Sequence, residues 1–261
     1  MPSIQVGILL LTSCLAVVLL PVQSAPGYID GRIVGGVDAG KNQFPHQISL
    51  RNGGSHSCGG SILSRTYILT AAHCVTNEDS DGKYVAVAAE RLTVRSGSND
   101  RFSGGILSQV AEVIFHENYG NFENDIALLR LDTPLIYSAS IQPIALPTVD
   151  TPVDANIIIS GWGRLWHQGD LPRYLQYNTL KSISTELCDE LIGFDFPGEL
   201  CLIHEEDNGA CNGDSGGPAI YNGEVVGIAG FVVGGCGSNY PDGYARVYYF
   251  REWIRKYVLD I

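Results

Sequence analysis

The stretch Asn212-Gly213-Asp214-Ser215-Gly216-Gly217-Pro218 sets a serine between glycines, directly after an acid. Taken alone it reads as a turn, because glycine-rich runs punctuate chains more often than they carry chemistry. Its chemical reading is a hydroxyl presented as a nucleophile, which at neutral pH needs a neighbouring imidazole to take its proton. Glycine at 213, 216 and 217 lets the backbone turn tightly, and the N–H groups of Gly213 and Ser215 are candidates for an oxyanion hole.

The base must come from elsewhere. Thr70-Ala71-Ala72-His73-Cys74 offers a histidine after an apolar run, and the segment from Asn124 to Leu131 offers Asp125 at the start of an alternating strand. The order His, Asp, Ser is one of three in which such groups recur on unrelated folds. Three further matches are Ile33-Val34-Gly35-Gly36, Asp125-Ile126-Ala127-Leu128 and Ser160-Gly161-Trp162-Gly163. With these motifs the chain from Ile33 to about Tyr257 resembles the chymotrypsin-like serine endopeptidases. Among them it looks most like the digestive enzymes of insects, relatives of trypsin, chymotrypsin and elastase. The resemblance implies that Ser215 attacks a peptide carbonyl, His73 takes and returns the proton, and Asp125 holds the imidazole. It also implies protein or peptide substrates and protein inhibitors as partners.

Length and charge bound the remainder. A chain of 261 residues buries a sizeable core and fits a single catalytic unit. The net charge is −12 and no lysine- or arginine-rich run occurs, which argues against a nucleic-acid partner. The apolar run from Ile8 to Leu20 is shorter than the roughly 20 residues of a membrane span, and Val22-Gln23-Ser24 suits signal peptidase. Residues 1–24 are therefore expected to be a signal peptide, leaving a secreted chain with no membrane attachment. Residues 25–32 end in a lone Arg32 and have the form of an activation peptide; 33–261 are the expected peptidase domain. By resemblance, an activating protease cutting after Arg32 frees the Ile33 amino group to pair with Asp214, a buried ion pair whose members are costly alone.

Loss of the leader removes Cys14 and leaves six cysteines, an even number that suggests disulfides in a secreted chain. Six cysteines allow fifteen connectivities. The resemblance implies Cys58 with Cys74, Cys188 with Cys201 and Cys211 with Cys236. There is no CxxC and no HExxH; the acidic stretch at 77–83 does not have the spacing of a helix-loop-helix calcium loop, and 98–105, where the resemblance implies a calcium loop in many members, lacks the glutamates of that site, so no metal or other cofactor is expected.

Short β-rich runs recur from Gln47 to residue 248 with turn residues between them, the pattern of a barrel or a sandwich. The resemblance selects an all-β fold: two six-stranded antiparallel Greek-key barrels with the site in the cleft between them. Phe250, Trp253, Ile254, Tyr257 and Val258 repeat at helical spacing and predict a C-terminal helix docked on the second barrel. His46, His56, His116, His167 and His204 read as surface loop residues.

The substrate pocket departs from the family pattern. By resemblance Gly209 occupies the floor where trypsin-like members carry aspartate, with Ala210 beside it, Val232 on the wall and Asp242 on the opposite wall. A carboxylate at 242 needs water, a proton or a substrate cation. Gly230-Phe231-Val232 stands where Ser-Trp-Gly is usual, so the hydroxyl that supports the catalytic aspartate is missing. The expectation is broad acceptance at P1, the residue before the scissile bond, leaning to apolar side chains, with secondary cleavage after Arg or Lys through Asp242. Two alternatives stay open: a trypsin-like enzyme governed by Asp242, and a catalytically weak, protease-like binding protein.

Overall fold

The structure, a computed structural model, describes residues 1–3, 33–259 and 261. Apart from its first three residues, the expected signal peptide lies outside these, as does the activation segment with Arg32. The body from Ile33 onward carries fifteen strands and two α-helices among the described residues. In chain order the strands are β1 (Val37–Asp38), β2 (Gln47–Asn52), β3 (Ser55–Ile62), β4 (Tyr67–Thr70), β5 (Thr76–Glu78), β6 (Tyr84–Ala86), β7 (Leu92–Ser96), β8 (Ile106–Phe115) and β9 (Ala127–Leu131). The second half holds β10 (Asn156–Gly161), β11 (Gln176–Ser182), β12 (Glu199–Ile203), β13 (Pro218–Tyr221), β14 (Glu224–Phe231) and β15 (Asp242–Arg246).

Two antiparallel barrels result. The first closes in the order β2-β3-β4-β9-β8-β7. The second runs β11-β10-β13-β14-β15-β12 and closes through the pairing of β12 with β11, while β1 adds to the outer edge of β11. Closure removes the exposed edges that an open sheet would leave for aggregation. Inward positions are filled by branched and aliphatic side chains: Ile48, Leu50, Ile68, Val94 and Leu129 in the first barrel, Ile157, Leu180, Leu200, Leu202 and Val226 in the second. Each such side chain contributes about 1.5–3 kcal/mol by leaving water.

The C-terminal helix α2 (Val247–Tyr257) buries Val247, Phe250 and Ile254. It reaches farther than the second barrel, because Phe250 and Trp253 pack on His116 in the loop after β8 at 5.6 and 5.4 Å between ring centroids. A helix over Thr185–Ile192, α1, was not expected from periodicity. Ser184 caps it by accepting the Leu187 N–H at 3.2 Å, and Gly193 ends it in the left-handed region at φ 68°. Disulfides join Cys58 to Cys74, Cys188 to Cys201 and Cys211 to Cys236. The first fixes β3 to the turn that carries His73, the second fixes α1 to β12, and the third braces the loop before Ser215. No helix among the described residues is long and apolar enough to cross a membrane.

Candidate active site

His73 lies in a single 3-10 turn, Ala72–Cys74, that follows β4. Asp125 precedes β9, which pairs with β4 from Thr70–Ala127 onward, so the strand register itself brings the two together. Asp125 is 4% exposed. Its Oδ2 accepts the His73 Nδ1–H at 2.7 Å and its Oδ1 accepts the His73 backbone N–H at 2.8 Å. The ring is thereby held in one orientation and one tautomer. Burial disfavours the charged form of His73, but the hydrogen bond and charge of Asp125 outweigh it and leave the imidazole above its ordinary value.

Ser215 sits in the loop between β12 and β13, and the first barrel anchors it: the Gly59 N–H donates to the Ser215 carbonyl at 2.7 Å. Gly216 must be glycine. Its φ is +74°, and an added β-carbon would meet the Gly59 carbonyl at 2.8 Å. Gly213, at φ +105°, is likewise in a region open to glycine. His73 and Ser215 line one cavity of about 330 Å³, together with Ala210, Gly230, Phe231 and Val232.

Asp214 points away from that cavity into the second barrel. Its Oδ1 accepts the Gly163 N–H at 2.7 Å and its Oδ2 accepts the Cys211 N–H at 3.0 Å. Burial pushes the carboxyl up to about 7 despite those two bonds. Among the described residues no cation pairs with it. Ile33, fully buried, lines the same small void.

The pocket residues fall in two groups. Ala210 and Val232 line the cavity, whereas Gly209 and Asp242 are not among its lining residues. Asp242 is 2% exposed; its Oδ2 accepts the Ala210 N–H at 2.7 Å and lies 3.4 Å from His204 Nε2. Burial raises the Asp242 carboxyl, and His204 and the Ala210 amide oppose that rise.

Reading the spare histidines as surface residues fails in three cases. His46 is buried, and the His204 side chain is buried against Asp242. His56 is partly buried and bridges two elements: its Nδ1 lies 2.8 Å from Ser49 Oγ and its Nε2 lies 3.1 Å from the Gly213 carbonyl. Since only a ring N–H can donate to a carbonyl, Nε2 carries the proton and Nδ1 accepts the serine hydroxyl. The chain Ser49–His56–Gly213 thus anchors the nucleophile loop. Gly213 lies 157 residues from His56, and no local sequence signal connects them.

Two closed barrels, an aspartate-held imidazole and a serine opening on one cavity define a chymotrypsin-like serine protease, a serine endopeptidase among the hydrolases. Residues 33–254 match the family described as Trypsin, and the chain belongs to that family. It is 46% identical over 230 residues to serine protease SP24D of Anopheles gambiae, covering 88% of this chain and 82% of the relative. It is 39% identical over 232 residues to trypsin alpha of Drosophila erecta, covering 87% of each. Among solved structures it is similar to neuropsin, a serine protease expressed in the limbic system of mouse brain, with a TM-score of 0.76 at 28% identity over 86% of this chain and 99% of that one.

Proposed function

We propose that this is a secreted, digestive serine endopeptidase made as a zymogen, activated by cleavage after Arg32 and acting through Ser215, His73 and Asp125. The observation that carries the reading is the His73 Nδ1 contact with Asp125 at 2.7 Å in a ring that shares a cavity with Ser215. With Nδ1–H engaged, the neutral ring offers Nε2 as base to the serine hydroxyl. The Ser215 oxygen then attacks the substrate carbonyl, the N–H groups of Gly213 and Ser215 receive the oxyanion, and His73 returns the proton to the departing amine. Asp125 stabilises the imidazolium formed between these steps without taking the proton itself.

Activation has a physical rationale in Asp214, a buried carboxyl that lacks a cation among the described residues while Ile33 stands beside it. A new ammonium at Ile33 supplies the missing charge and fixes the loop of Gly213.

Ala210, Phe231 and Val232 give the cavity apolar walls, which supports broad P1 acceptance favouring apolar side chains such as Leu. Asp242 favours a second, trypsin-like reading only to the extent that a substrate cation competes with His204 for its carboxylate. Measurement of kcat/KM across a P1 peptide library after cleavage at Arg32 separates the two. Apolar residues leading, with Asp242→Ser removing the residual Arg and Lys cleavage, is the expected result. Arg and Lys exceeding every apolar residue by about 100-fold, roughly 2.7 kcal/mol, would overturn the apolar assignment.

A further inference from the structure

Glu199 is a second carboxyl near the reacting groups, and the mechanism above does not use it. It opens β12 opposite Ala245 of β15 and is 4% exposed. Its Oε1 is buried with no hydrogen-bond partner among the described residues. Two glycines separate it from Asp125. A β-carbon on Gly230 would stand 3.6 Å from Asp125 Oδ2 and 3.2 Å from the Gly243 carbonyl, while one on Gly243 would stand 2.5 Å from Glu199 Oε1. Gly230 and Gly243 thus lie between Asp125 and Glu199, with the Phe231 ring packed on the Gly243 side, where that same β-carbon would meet its Cζ.

Both described donors to Asp125 come from His73. A carboxylate has about four acceptor sites, and its far side faces Gly230, which offers no hydroxyl. An unfilled acceptor on a buried anion is costly, and a nearby neutral dipole reduces that cost without adding negative charge. Burial pushes the Glu199 carboxyl well above the usual carboxylate range, the charge of Asp125 pushes the same way, and Arg246 and the Tyr244 N–H oppose it. Arg246 is occupied elsewhere: its Nε donates to the Glu199 main-chain carbonyl at 2.9 Å, Nη1 to Asp150 at 3.2 Å and Nη2 to Thr185 Oγ1 at 3.3 Å. Burial and the charge of Asp125 therefore both favour the neutral form of Glu199, which stands among Asp125, Arg246 with its partner Asp150, and the imidazole of His73 beyond Asp125.

We propose that Glu199 is a positioning residue for the reaction: its carboxylic acid, behind Asp125 across Gly230 and Gly243, stands in for the hydroxyl that Gly230 lacks and steadies the aspartate that orients His73. The inference rests on the proposed roles of Ser215, His73 and Asp125.

The test uses the chain cleaved at Arg32 and compares wild type, Glu199→Gln, Glu199→Leu and the double variant Glu199→Leu with Gly230→Ser. Covalent labelling of Ser215 in the wild type is read first, then kcat, KM and the acid limb of kcat/KM. The neutral Glu199→Gln is expected to keep kcat within about threefold and to leave the acid limb in place, since no charge is lost. Glu199→Leu is expected to lower kcat about 10-fold at unchanged KM, the scale of one interaction realised in the transition state. Adding Gly230→Ser is expected to restore most of that loss, which a merely structural role would not predict. Wild-type kcat in Glu199→Leu overturns the inference, as does an acid limb moved down in Glu199→Gln, because that marks the loss of a negative charge. If Glu199→Leu does not fold, the Glu199→Gln profile decides. A wild type that is not labelled at Ser215 overturns the assigned roles and this inference together; a labelled wild type with an indifferent Glu199→Leu overturns this inference alone.

Discussion

Asp214 should make the uncleaved chain lose stability as pH rises. Its carboxyl is raised from 3.8 to about 7 by burial, so the folded state holds a proton that the unfolded state releases across that window. The associated stability is fully present below the unfolded value near 4 and is gone once pH passes the folded value near 7. Three units at about 1.4 kcal/mol each give roughly 4 kcal/mol as the size of the effect. The assay is urea unfolding of the chain from Ala25, carrying Arg32→Gln and Ser215→Ala so that it stays intact, with and without Asp214→Asn, from pH 4 to pH 8. Asparagine adds a constant offset by setting an NH₂ against one of the N–H donors from Gly163 or Cys211, so the informative quantity is how the difference between the two proteins changes with pH. The histidines titrate alike in both and cancel. The expected result is a wild type that falls relative to the variant by about 4 kcal/mol across the range, and a cleaved wild type that does not, because an Ile33 ammonium then offsets the charge. Parallel profiles for the two uncleaved proteins would refute a buried Asp214 whose carboxyl is raised in the folded state.

Three other outcomes are expected. Burial lowers His46 and His56 to about 4, so both stay neutral in the folded chain while the unfolded chain protonates them below about 6.5; the unfolding free energy read from urea titrations should drop as pH falls from 6.5 toward 4, by up to about 3 kcal/mol for each histidine, and His56→Gln should remove its share. Asp125→Asn should cut kcat by about 10⁴-fold and move the acid limb of kcat/KM from above 6.5 to below it, since burial then acts on His73 without the opposing carboxylate; an unmoved limb contradicts the assigned pairing. Val232→Gly should raise kcat/KM for large aromatic P1 residues relative to Ala or Val by about 10-fold, as two or three methylene equivalents of space imply, read from the same peptide library.

The parts of the site legible in the sequence are those whose signal is contiguous. Gly213 to Pro218 and Thr70 to Cys74 each hold a functional side chain together with the backbone residues that present it, so a short window suffices. The strands were legible as short branched runs with turn residues between them, as in the hairpin of β3 and β4. Helix α1 escaped because it is eight residues long and is defined by its caps, Ser184 and Gly193, rather than by repeated apolar spacing. His56, His204 and Glu199 escaped for a different reason: each is defined by a partner brought close only by barrel closure. The resemblance placed Asp242 on a pocket wall, but only the β12–β15 register, Leu202 opposite Asp242, shows its carboxylate turned toward the Ala210 amide and His204.

The most direct test of the central claim is covalent capture of the nucleophile. The chain cleaved after Arg32 is treated with an organophosphonate, digested and mapped by mass spectrometry, beside Ser215→Ala. The account predicts one adduct, on the peptide holding Ser215, formed in step with loss of proteolysis, and no adduct or activity in a normally folded Ser215→Ala. An unlabelled Ser215 in active protein, or undiminished proteolysis by Ser215→Ala, would contradict it.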